Sequence, residues 1–68
     1  MKIEFATATG IVTAEVNNPN EVGPAGHVYW DISLNRQRVF TVEASMGDLP
    51  MIIDDEFSSP VTHIEVVS

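Results

Sequence analysis

Residues 27–34 read His27-Val28-Tyr29-Trp30-Asp31-Ile32-Ser33-Leu34, with Val28, Trp30, Ile32 and Leu34 alternating without a break against His27, Tyr29, Asp31 and Ser33. A period of two marks a half-buried strand, because successive side chains on a pleated backbone point to opposite faces. The stretch predicts a strand with Trp30 on a core. Arg38 to Ala44 repeats the pattern, with Phe40, Val42 and Ala44 inward and Val39, Thr41 and Glu43 outward. The turn Asn35-Arg36-Gln37 makes the two segments a hairpin.

The same period extends toward both ends. Ile3, Phe5 and Thr7 alternate with Lys2, Glu4 and Ala6, then Val12, Ala14 and Val16 alternate with Ile11, Thr13 and Glu15, and Gly10 marks the turn between them. Val61 to Val67 gives a last strand, with Ile64 and Val66 opposite Glu65 and Val67. Val, Ile and Thr supply 20 residues and Leu only 2, a bias toward side chains that suit a pleated surface. Asn17 to Gly26 holds three Asn, two Gly and two Pro, so it reads as the longest loop, apart from the core.

Residues 49–57 admit two readings. Leu49, Ile52, Ile53 and Phe57 fall at helical offsets and Asp48 could cap them, but Asp54, Asp55 and Glu56 would then crowd a helix C-terminus, where the dipole disfavours acids. A short helical turn and an irregular strand both remain open.

The fold expected is all-β: a five-stranded antiparallel sheet, curled into a bent meander or a small SH3-like or OB-like barrel, forming one domain over residues 1–68. Five short strands with both faces wet would have no core, so curling or covering is required. Trp30, Phe5 and Phe40 are expected to centre that core. The chain has no cysteine and hence neither disulfide nor thiolate metal site, and 68 residues bury only about 60% of the unfolded surface. Extra cover from self-association or a partner would help so small a domain. Met1-Lys2-Ile3-Glu4 lacks the apolar core of a signal peptide and no window approaches a membrane span, so a cytoplasmic location is the expectation.

Charge is distributed unevenly. Residues 1–38 carry four acids and three bases, and residues 39–68 carry six acids and no Lys or Arg, which together make the net −7. Glu4, Glu15, Asp31, Glu43 and Glu65 all fall at outward strand positions, so a matching register would gather them on one sheet surface. Such carboxylates either keep a small protein soluble or present a surface to a basic partner. Tyr29, the one aromatic at an outward strand position, is a candidate anchor for that partner, or packs on neighbouring outer side chains.

No residue pattern points to catalysis, and no cofactor is expected. Asp54-Asp55-Glu56 lacks the alternation and glycine of a calcium loop, and His27 and His63 stand in no metal-ligand spacing. Ser33, Ser58 and Ser59 have no nucleophile elbow, and Gly23-Pro24-Ala25-Gly26 lacks the lysine of a phosphate loop. Direct nucleic-acid binding is disfavoured when Lys2, Arg36 and Arg38 are the only bases.

The expectation is therefore a non-enzymatic acidic protein that docks on a basic, nucleic-acid-binding partner and occludes its site. The general look, in composition alone, is that of phage-encoded anti-restriction and anti-CRISPR inhibitors. The contact residues expected are Glu15, Tyr29, Asp31, Glu43, Asp54, Asp55 and Glu56. The rival expectation is a structural subunit that homo-oligomerises through strand edges or through Ile11, Val39 and Val67, apolar at outward positions.

Overall fold

The computed structural model describes residues 1–17 and 26–68. Five strands, β1 (Lys2–Thr7), β2 (Gly10–Val16), β3 (Val28–Leu34), β4 (Gln37–Ala44) and β5 (Val61–Val66), form one antiparallel sheet in the order β4-β3-β2-β1-β5. The first four follow one another as a meander. After β4, a single 3-10 turn (Met46–Asp48) leads into helix α1 (Leu49–Phe57), which returns the chain to β5 on the far side of β1. The central residues of the segment read as the longest loop lie outside the described residues.

Local chemistry fixes both described hairpins. The Thr7 hydroxyl accepts from the N–H groups of Thr9 and Gly10 (both 3.2 Å) and donates to the Gly10 carbonyl (2.9 Å). Gly10 has φ +147, and a Cβ there would lie 2.6 Å from the Asn35 side chain, so no other residue fits without a shift. Asn35 (φ 48) and Arg36 (φ 72) make the second turn with both residues left-handed, the geometry that matches strand twist in two-residue hairpins. Asn35 also ties this turn to β2, accepting from Ile11 N–H through Oδ1 (3.1 Å) and donating its own N–H to the Ile11 carbonyl (2.9 Å).

The register puts every predicted inward residue on one face. Ile3, Ala14 and Ile32 lie side by side, as do Phe5, Val12 and Leu34, and Val16, Trp30 and Val42. The second layer that this face requires is α1. Leu49 and Ile53 are fully buried against Ile3, Phe5, Val12, Ala14, Trp30, Ile32 and Ala44. Each large side chain so buried contributes about 1.5–3 kcal/mol. Trp30 is central, as expected, and its indole N–H donates to the Ala44 carbonyl (3.0 Å), so the one polar atom of the ring is satisfied. Phe40 is not at the centre: it is half-buried near the sheet edge, its ring 6.2 Å from that of Phe57.

The helix forms despite its acidic end because backbone and side chains there find other partners. Asp48 precedes it without a side-chain cap bond, contrary to expectation. Its own backbone is already helical (φ −88, ψ −12) as the end of the 3-10 turn, a conformation from which a capping carboxylate does not reach forward. Pro50 occupies the first turn, where its missing N–H costs nothing. At the other end Ser58 turns left-handed, and the N–H groups of Ser58 and Ser59 reach the Asp54 carbonyl. The Asp54 carboxylate accepts from Val61 N–H at 2.8 Å, and the buried Ser59 hydroxyl accepts from Ala8 N–H at 3.1 Å. These two bonds fasten the helix to the start of β5 and to the first hairpin turn.

The helix does not cover the sheet evenly. Ile3 and Phe5 on β1 are 2% exposed, whereas their cross-strand partners on β5, Val66 and Ile64, are 60% and 48% exposed. Cover stops at β1.

Candidate functional site

The face away from α1 carries the outward residues of all five strands, and the register confirms the acidic grouping expected there. Glu15 pairs with Asp31 across β2 and β3, Tyr29 with Glu43 across β3 and β4, and Glu4 with Glu65 across β1 and β5. Neighbouring strands are about 4.8 Å apart, so Glu15, Asp31, Tyr29 and Glu43 occupy two adjacent rows at one end of the sheet. Tyr29 is 42% exposed and stands between the Asp31 and Glu43 positions. These four form one patch.

All three bases of the chain border the same face. Lys2 stands opposite Glu15, Arg38 opposite Ser33, and Arg36 lines a depression of about 180 Å³ with Lys2, Thr13, Glu15, Asp31 and Ser33. A neighbouring depression of about 310 Å³ is lined by Glu4, Ile11, Thr13, Asn35 and Arg36. The grid of carboxylates is thus a mixed surface, with Lys2, Arg36 and Arg38 interspersed among the acids, and it is less negative than the strand acids alone suggested.

Asp31 is the hub. Its Oδ1 accepts from the Asn17 side-chain amide at 3.0 Å and from the Thr41 hydroxyl at 2.8 Å, while Arg38 donates to Thr41 at 2.7 Å and lies 3.5 Å from the same carboxylate oxygen. The hydrogen bonds from Asn17 and Thr41, against partial desolvation, and with help from the Arg38 charge, hold this carboxyl below its ordinary 3.8. Asp31 thus receives two hydrogen bonds and one ion pair, from Thr41 and Arg38 of β4 and from Asn17 just past β2. Asn17 and Thr41 were not among the expected site residues. Their signal was available only from register, since nothing in the sequence sets position 17 beside position 31.

The other expected contacts are elsewhere. Asp54, Asp55 and Glu56 lie on α1, which covers the opposite face, so the seven residues split into a sheet patch and a helix run. Asp54 is occupied by the Val61 N–H, so it acts at the helix-to-strand joint. Asp55 and Glu56 are exposed. Among the described residues no three His, Asp or Glu side chains converge as metal ligands do. No helix of the described residues is long and apolar enough to cross a membrane.

Comparison with protein-family models, with curated proteins and with solved structures finds no match to this chain.

Proposed function

We propose that this chain is a non-enzymatic binding protein that docks on a basic protein through the sheet patch Glu15, Tyr29, Asp31 and Glu43. The finer form of the proposal is an inhibitor that occludes a nucleic-acid-binding surface. The observation that carries the reading is the Asp31 hub. A carboxylate hydrogen-bonded by Asn17 and Thr41 and paired with Arg38, beside a half-exposed tyrosine, meets a cationic side chain with its geometry already directed. Preorganised charge of this kind favours association, because the freedom a flexible side chain would lose on binding is already lost. Asp55 and Glu56 contribute at longer range: they add to the negative field that steers a basic partner, without touching it.

The test is surface-binding kinetics against a panel of basic nucleic-acid-binding proteins at low and high salt. Wild-type association slows as salt shortens the Debye length from about 10 Å at 0.1 M to about 3 Å at 1 M. Glu15→Lys plus Glu43→Lys slows association strongly in a variant whose circular dichroism is unchanged, whereas Asp55→Lys plus Glu56→Lys has a lesser effect. Equal rates for wild type and the sheet-patch variant would remove the reading.

A further inference from the structure

We propose that the free edge of β5 pairs with β5 of a second copy of this chain, antiparallel, about a two-fold axis through Ile64. The inference stands on the edge itself and does not need the sheet patch to bind anything.

Backbone direction comes first. Val67 N–H donates to the Lys2 carbonyl (2.9 Å). In an antiparallel ladder successive residues address opposite sides, so His63 and Glu65 turn their backbone groups to β1, and Ile64 and Val66 turn theirs outward. Among the described residues these ladder groups have no strand partner, which makes this side of β5 an edge. β4, the other edge, is blunted by Arg38 and by a register shift opposite Ile32 and Ser33. β5 has no Lys, Arg or Pro between Val61 and Val66, and its own irregularity falls at its start, before Ile64.

Side chains give the second argument. Ile64 and Val66 continue the apolar rows of Phe5 and Ile3, yet α1 leaves them 48% and 60% exposed. With Ile64 on the axis, Ile64 meets Ile64 of the second copy on the helix side of a continuous ten-stranded sheet, between the two helices, and Val66 lies diagonal to that Ile64 and opposite Thr62. The Phe5–Ile64 row then runs on into the second copy instead of ending at water, and Val66 gains the second Ile64 as a diagonal neighbour.

Charge selects the register. Glu65 stands opposite Glu4, a like-charge pair that weakens the β1–β5 ladder. An axis through Ile64 brings His63 of the second copy to the other flank of Glu65, and an imidazole donates a hydrogen bond to a carboxylate whether charged or neutral. The contact occurs twice by symmetry. An axis through Glu65 would set two carboxylates face to face, and one through His63 would set Glu65 against Val61. The sequence His63-Ile64-Glu65 is self-complementary in one register only.

The test is sedimentation velocity on the 68-residue chain over a concentration series, with amide hydrogen exchange on the same samples. The mass should rise from 7.4 kDa toward twice that value, and the Ile64 and Val66 amides should become protected as it does. His63→Glu should weaken the dimer roughly tenfold, because the repulsion it introduces occurs twice. His63→Glu with Glu65→Lys should restore it. Val66→Pro, which removes an outward N–H that β1 does not use, should abolish it with the fold intact by circular dichroism. A monomer at every concentration overturns the proposal. So does a dimer indifferent to both His63→Glu and Val66→Pro, or one lost on Tyr29→Ala, which would place the contact on the sheet patch.

Discussion

On the face under α1, Trp30 is 1% exposed; one residue away, on the other face, Tyr29 is 42% exposed. The same contrast repeats between Ile32 in the core and Asp31 outside it. The covered face is held by apolar area, which is insensitive to direction and large in sum, and the open face by a few directed bonds that converge on Asp31. Adjacent residues of one strand therefore belong to different energetic regimes. Most of the stability resides on one side of the sheet, and the other side contributes little to it.

The strongest way to break this division is Trp30→Ala. It should cost about 3–5 kcal/mol, a large part of the roughly 3–10 kcal/mol expected for a domain of this size. Urea unfolding measures it, and tryptophan emission in the native wild type should be that of a buried indole. Ile53→Ala tests whether α1 is the cover that the inward face needs; it should cost about 2–4 kcal/mol in the same assay. If α1 were a loosely attached appendage, the variant would unfold like wild type.

On the open face the effects should be small. Asp31→Asn should lose about 0.5–1 kcal/mol at neutral pH, the scale of exposed polar contacts. Its pH dependence has a definite sign. The folded-state pKa lies below 3.8, so the carboxylate stabilises the fold above 3.8, and that contribution disappears as pH falls through the lower folded value. Wild type and variant should thus converge in acid, which thermal melts at a series of pH values would show. The smallest effect is a gain: Glu4→Lys replaces the repulsion with Glu65 by attraction and should stabilise by roughly 0.2–0.5 kcal/mol, less in high salt.

Much of this division was legible in the sequence. The period of two assigned Trp30, Ile32, Phe5, Val12 and Ala14 inward and the five strand acids outward, because alternation is a property of each strand alone. Two things were not legible. The helix over 49–57 competed with a strand because the acids at its end argued against it. Its stability depends on Asp54 reaching Val61 and on Ser59 reaching Ala8, contacts that exist only after folding. The grouping of the site was hidden for the same reason. Position along the chain placed Asp54 to Glu56 with the other acids, whereas topology put them on the opposite layer.

The Thr62 hydroxyl reaches the Ala6 carbonyl across 56 residues of sequence, and Ser59 meets Ala8 across 51. β1 is made first and its outer neighbour last. At about 5–20 residues per second of synthesis, the outer edge of β1 waits roughly 3–10 seconds for β5, and the meander, complete at Ala44, waits roughly 1–3 seconds for α1 to end at Phe57. During that interval the nascent chain offers other polypeptides an unpaired strand edge beside uncovered isoleucine and phenylalanine. Slow codons between Ala44 and Val61 would lengthen the exposure and raise the share of chains lost to aggregation, with no change in the stability of those that finish.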